Sequence, residues 1–227
     1  MEQVTFFSDI TVVDVEDESF RNHLQSHQPA IEECWNQYAG KDHFNGSLLN
    51  ILEVEANKDN LALQLKVCSA EYKQYLAQCK GGLDLHIRPL AVSGVTFAKD
   101  QVLLGQRTTS VTNYPGYFEL VPSGSLEAGK SWHEQIVDEL LGESGIEPAM
   151  IQSCEAFCLI FDEGEKLFDI GCAIELIDDS CFQNLDVSEY GEMKGYLLQK
   201  VKNLLAKEQV VPTSKLLFEA WRDWSKR

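Results

Sequence analysis

The sequence is short of basic side chains: 227 residues carry 19 Lys and Arg against 36 Asp and Glu, a formal net charge of −17. No basic cluster offsets a pI near 4.6, which argues against a surface that follows a phosphate backbone, so no nucleic-acid partner is expected. Long apolar runs are also missing, and nothing approaches the roughly 18 residues a bilayer-crossing helix needs; no membrane partner is expected. The opening Met1-Glu2-Gln3-Val4-Thr5 has neither the basic n-region nor the apolar h-region of a leader, so the expected location is cytoplasmic. The seven cysteines (Cys34, Cys68, Cys79, Cys154, Cys158, Cys172, Cys181) are odd in number and scattered. The closest pair, Cys154 and Cys158, has no nearby His to complete a zinc site, so they read as buried, reduced thiols. Internal repeats and low-complexity tracts are absent.

What is present suffices for a packed core, with 44% hydrophobic and 10% aromatic residues. The length fits one large domain, or one domain with an elaborate extension. Apolar alternation predicts strands over 3–15, 48–55 and 61–67, the last two joined around Asn57-Lys58-Asp59-Asn60. Helices are expected over 30–38 and from Ser69, as N-cap, through Lys80, where Gly81-Gly82 closes a unit spanning 1–83. A hairpin follows over 90–98 and 102–106, then a short strand at 117–121 and a helix from Trp132 to Glu143 between Ser131 and Gly145. A second hairpin over 151–161 and 167–177, a strand at 193–197 and helices at 198–208 and 213–225, the last capped by Thr213, complete a unit spanning 84–227. Trp221 and Trp224 lie three apart on that last helix, the spacing of a core stripe. Strands flanking one central helix, with more helices at the end, predict an α/β (α+β) sandwich with a mixed sheet. The charge is uneven: residues 162–192 hold ten acids and one base, whereas 193–227 hold three and eight.

The chemistry concentrates in residues 122–146, a glycine-rich loop running into a helix. Glu139 and Glu143 stand four apart and so share one helical face. Two carboxylates on adjacent turns suit a hard cation such as Mg²⁺, which takes its remaining ligands from water and substrate phosphates. The spacing alone is equally that of an amphipathic helix with a solvated acidic face.

The loop changes that balance. Gly124, Glu139, Leu140, Glu143, Gly145 and Ile146 match the loop–helix–loop signature of the Nudix hydrolases, G-x5-E-x7-R-E-U-x-E-E-x-G-U, where U is bulky and aliphatic. The segment resembles that box and departs from it at Lys130, Asp138 and Gly142, where the family carries Glu, Arg and Glu. Lys130 and Asp138 hold the family's bracing ion pair with signs exchanged, so they are expected to touch; the alternative is that Asp138 reaches a metal. Gly142 supplies no ligand. Candidates to replace it are Glu119, Glu163, Glu165 and Glu189.

The resemblance implies a Nudix-type α/β/α sandwich over 84–227 with an N-terminal α/β extension. It also implies a water attack on a nucleoside diphosphate linked to another moiety. Glu139 and Glu143 would hold Mg²⁺ or Mn²⁺, and one of them, or a loop carboxylate, would take the proton of the attacking water. Arg107 is the candidate phosphate contact and Tyr117, with Tyr114 and Phe118 beside it, the candidate base-stacking residue. A homodimer is the assembly common in the family. Phe44-Asn45-Gly46 and Glu71-Tyr72-Lys73-Gln74-Tyr75-Leu76 resemble the N-terminal region of the UDP-sugar-hydrolysing branch, implying UDP-glucose or UDP-galactose as substrate, with UMP and a sugar 1-phosphate as products. The rival reading, motivated by Gly142, is a Nudix-fold protein that binds a nucleotide or a partner without hydrolysing anything.

Overall fold

A computed structural model describes residues 3–40, 44–57, 59–111, 113–186, 190–207 and 209–227. Along the chain come β1 (Gln3–Phe6), β2 (Asp9–Asp14), α1 (Glu18–Ser26), α2 (Gln28–Tyr38), β3 (Ser47–Asn57), β4 (Ala62–Glu71) and α3 (Tyr72–Gly81). Then follow β5 (Leu90–Ala98), β6 (Gln101–Arg107), β7 (Phe118–Leu120), β8 (Ser123–Ser125) and α4 (Trp132–Ser144). The chain ends with β9 (Ile151–Asp162), β10 (Leu167–Leu176), β11 (Tyr190–Leu197), α5 (Leu198–Lys207) and α6 (Pro212–Trp224). Among the described residues no helix is long and apolar enough to cross a membrane.

The main sheet has the order β1-β9-β10-β5-β6-β11, with β7 on β6 and β8 on β5. It is mixed: β5 and β10 run parallel and β9–β10 antiparallel. A second sheet, β2-β4-β3, is also mixed. Alternation along β5 sorts its side chains to two faces. Leu90 and Val92 enter one core with Ile136 and Leu140 of α4 and with Ile10, Ile51 and Leu65 of the smaller sheet. Val95 enters the other with Val201, Leu217, Phe218 and Trp221 of the C-terminal helices. Helices therefore cover both faces, as the α/β/α expectation requires, and the smaller sheet shares the face that carries α4. Each of these apolar side chains contributes roughly 1.5–3 kcal/mol on full burial.

Helix α4 starts where the sequence places it. The Ser131 hydroxyl accepts from Glu134 N–H (3.2 Å), and the Glu134 carboxylate accepts from Ser131 N–H (2.9 Å), a reciprocal capping box. Gly145, at φ 71°, ends it in a left-handed conformation that favours glycine. Within the helix Ile136, Leu140 and Glu143 fall on one buried stripe, so Glu143 occupies a place that periodicity gives to an apolar residue.

Three expectations are corrected. Ser69 lies inside β4, paired with Leu49; the cap of α3 is Glu71, in a capping box with Gln74. Val211 caps α6, because Pro212 takes the first helical position, where its missing N–H costs nothing. The segment 3–15 is two strands in two different sheets, β1 pairing with β9 and β2 with β4. The hairpin of β5 and β6 is present as expected, pairing at Phe97–Val102 and Ala98–Gln101, and β8 takes the same edge of β5 at Ala91–Ser93. Helix α1, capped by Asp17, was not expected at all. All seven cysteines are free thiols; Cys68, Cys158 and Cys172 are buried, whereas Cys79 is exposed.

Candidate active site

The loop after β7 returns to the sheet as β8, which pairs Gly124 with Val92, and then climbs onto α4. The Glu139 side chain crosses directly over Gly124: a Cβ there would lie 2.1 Å from Glu139 Oε1 and 2.3 Å from Cδ. The absence of that Cβ sets the position of Glu139, whose Oε1 also accepts from the Gln135 amide at 2.7 Å. Gly124→Ala should therefore act on the site more than on the fold. The end of a flexible Glu can swing aside for about 1 kcal/mol, while turnover should fall at least about tenfold, as an ångström of misplacement allows. Turnover measured beside thermal unfolding separates the two effects.

Glu143 is only 6% exposed, and burial, followed by the nearby Glu119 and Glu139 charges, pushes its carboxyl up to about 8 against the pull of Tyr190 and Ser123. Its Oε2 accepts from the Tyr190 hydroxyl at 2.9 Å and its Oε1 from Ser123 N–H at 3.3 Å. The Tyr190 hydroxyl also lies 3.4 Å from Glu119 Oε2, so one phenol bridges two buried acids. Tyr190 fits because β6 has a glycine beneath its ring; a Cβ on Gly105 would lie 2.3 Å from Tyr190 Cδ1. Glu119, 5% exposed, is ion-paired with Arg107, whose Nε donates to the Asn113 carbonyl at 3.2 Å.

A polar chain continues below Ser123. Its hydroxyl lies 2.9 Å from that of Ser93, which donates to Asp169 Oδ2 at 2.7 Å. Asp169 is 2% exposed, and its Oδ1 is buried without a hydrogen-bond partner among the described residues. Burial, with Glu119 and Asp162 adding to it, pushes this carboxyl up to about 7 despite the Ser93 hydrogen bond.

Of the residues expected from sequence, Arg107 and Glu143 thus meet around Glu119, and the Glu139 charge acts on Glu143 from the same helix. Tyr117 lies beside them: its carbonyl accepts from Arg107 N–H at 2.9 Å, and its ring leans on Tyr114 with centroids 5.4 Å apart. Phe118 faces elsewhere, edge-on to Tyr196 and packed against the core that holds α6. Glu165 is bound by tyrosines, its carbonyl accepting from Tyr75 at 2.7 Å and its carboxylate from Tyr114 at 3.3 Å. Glu163 lies in the same β9–β10 turn, and Glu189 is outside the described residues. Lys130 and Asp138 do touch, at 3.1 Å, so the exchanged signs keep the loop–helix brace, and Asp138 points to Lys130. Both are solvent-exposed, so the pair adds little to stability. Tyr190, Ser93, Ser123 and Asp169 were not expected; the one signal in the sequence was an acid, Asp169, inside the apolar run Leu167–Ile174.

Among the described residues no three His, Cys, Asp or Glu side chains converge as a ready-made metal cage. The carboxylates present are hard oxygen donors. They fit Mg²⁺ or Mn²⁺ in the mode where one or two protein carboxylates share the ion with substrate phosphates, and a ligand-free cage is not needed for that.

No protein-family model matches the chain, and no curated protein matches it. Among solved structures it is similar to the NUDIX domain of Shewanella oneidensis NrtR, crystallised with ADP ribose, at 19% identity over 67% of this chain and 97% of that one, TM-score 0.49. It is similar to the MutT protein from Methanosarcina mazei Go1 at 19% identity, over 61% and 95% of the two chains, TM-score 0.43. A Nudix hydrolase from M. smegmatis, RenU, is similar at 13% identity, over 60% and 84%, TM-score 0.47. Likeness at this level assigns no activity and no residue role.

Proposed function

We propose that this chain is a Nudix-type pyrophosphohydrolase acting on a nucleoside diphosphate linked to a second moiety. The observation that carries the reading is Glu143: a carboxyl buried on the box helix, lifted to about 8, flanked by a second buried acid and a guanidinium. A carboxylate with its affinity for protons raised in this way is a better general base than an exposed one. In the reaction, water adds to one phosphorus, its proton passes to Glu143, and the anhydride P–O bond breaks to leave a nucleoside monophosphate and a phosphorylated second moiety. The Tyr190 hydroxyl and Ser123 N–H hold Glu143 in place for the transfer. Arg107 provides a fork for phosphate oxygens and Tyr117 an aromatic face for the base. A divalent cation, held through Glu139, would neutralise the charge that develops on the phosphates and leave Glu143 to take the proton.

The finer reading, a UDP-sugar substrate, is supported only by the two N-terminal motifs, which form one unit. Asn45 donates to the Glu71 carboxylate (2.7 Å) and accepts from Lys73 N–H (2.8 Å), and the Gly46 carbonyl accepts from Tyr72 N–H (2.9 Å). That geometry gives Phe44-Asn45-Gly46 a structural task at the start of α3. The deciding experiment is a panel of UDP-glucose, UDP-galactose, ADP-ribose and nucleoside triphosphates with Mg²⁺ or Mn²⁺, scoring monophosphate release. UDP-sugar turnover above the rest is expected. A folded protein inert on the whole panel would move the assignment to the second reading, a nucleotide-binding module, which the ligandless Gly142 favours.

Gly142 also offers a gain-of-function test. A Cβ there would meet nothing within 4 Å, so Glu can enter without a clash. Gly142→Glu should stabilise the helix by about 0.5–1 kcal/mol and increase turnover at limiting Mn²⁺, read by metal-dependent rates beside a denaturant melt.

A further inference from the structure

The Arg107–Glu119 pair stands where a phosphate-binding arginine was expected to be open to a ligand. Glu119 is nearly fully buried, and an acid so placed needs a positive partner, because its charge has lost water on almost every side. Glu143 lies on the other side of the shared Tyr190 hydroxyl and brings a second carboxyl to the same space. A divalent cation would meet that need, and so does a guanidinium. Arg107 closes the last residue of β6, and its Nε is held by the carbonyl of Asn113 in the 108–117 loop, the loop that carries Tyr114 and Tyr117. A diphosphate entering beside that loop offers Arg107 two or more anionic oxygens in the bidentate geometry a guanidinium prefers.

Resting on the hydrolase reading of this site, we propose that Arg107 serves as a built-in counter-cation for Glu119 in the ligand-free chain. It moves to the phosphates when the diphosphate binds, so that Glu119 becomes a cation ligand only then. The order of binding follows: the metal enters with the diphosphate, and Glu119 supplies, from outside the box, the donor that Gly142 lacks. The ligand-free chain thereby avoids holding a naked buried acid, and a metal without nucleotide must compete with a covalently tethered cation.

The test is Mn²⁺ binding to the full chain, followed by electron paramagnetic resonance or calorimetry, with and without the uncleavable analogue α,β-methylene-UDP. Wild-type protein should bind Mn²⁺ at least tenfold more tightly with the analogue than without it. Arg107→Met, which removes the charge and keeps the stem, should bind Mn²⁺ alone at least tenfold more tightly than wild type, and adding Glu119→Gln should erase that gain. A folded Arg107→Met chain with wild-type Mn²⁺ affinity overturns the proposal. Should Arg107→Met not fold, the wild-type comparison decides: equal Mn²⁺ affinity with and without the analogue overturns it as well. The two readings fail separately. A substrate panel without turnover beside a Glu119-dependent gain in Arg107→Met removes the hydrolase and keeps the exchange, whereas turnover beside unchanged Mn²⁺ binding does the reverse.

Discussion

Glu143→Gln should lower the rate of monophosphate release by about 10²–10⁴ while making the protein more stable at neutral pH. The two effects have one cause. In the fold the Glu143 carboxyl is raised from 4.5 to about 8, so the folded chain holds this proton more tightly than the unfolded chain does. Folded stability from this group is then greatest below about pH 4.5 and is lost as pH rises toward 8. An uncharged amide of the same shape escapes that loss; the gain above pH 8 is on the order of 2–4 kcal/mol, reduced where the Tyr190 hydrogen bond to the carboxylate is weakened. Denaturant melts at pH 5 and pH 8 beside rate measurements check both halves. Wild-type turnover in Glu143→Gln would remove Glu143 as the base and return the role to Glu139 or a loop acid.

Asp169→Asn should produce the other large shift, in stability alone. Its carboxyl is raised from 3.8 to about 7 by burial, with the Glu119 and Asp162 charges adding to it. The sign is the same as for Glu143: the protonated fold is favoured, and stability declines as pH rises from about 4 to about 7. Asn keeps an oxygen for the Ser93 hydroxyl and removes the charge, so above pH 7 the variant should be more stable by an amount on the order of 2–4 kcal/mol. Below pH 4 the two proteins should differ little. Melts across pH 4–8 that fall with equal slope in both would show that Asp169 is ionised in the fold and held by something other than Ser93.

These two acids also mark what could be read from the sequence. Helix α4 was legible because its signals are local: the Ser131 cap, the Gly145 stop and the 124–146 spacing lie within one turn-rich segment. The Lys130–Asp138 contact was legible for the same reason, a charge exchange at two positions that the resemblance implies face each other. The buried network was not. Tyr190 reaches Glu143 only because β11 lies on β6 over Gly105, and Asp169 reaches Ser123 only through Ser93 on a neighbouring strand. Periodicity gives each strand its faces but not its neighbours. It equally hid the contest at Arg107, a candidate phosphate contact by residue type whose pairing with Glu119 depends on β6 lying beside β7. The same blindness to neighbours joined β1 and β2 into one strand.

Strand β1 has a consequence of a different kind. Gln3–Phe6 pair with Phe161–Cys158 on the outer margin of β9, at the end of the main sheet. Without them that stretch of β9 would present open N–H and C=O groups, a template on which a second chain could add a strand. The strand is only four residues long, with Val4 and Phe6 partly buried against the core and Gln3 and Thr5 exposed, so these residues give the sheet a margin that is a poor template in turn. Their contribution is to colloidal behaviour: together with the strong negative charge, they keep a sheet-rich protein from growing edge to edge into larger aggregates.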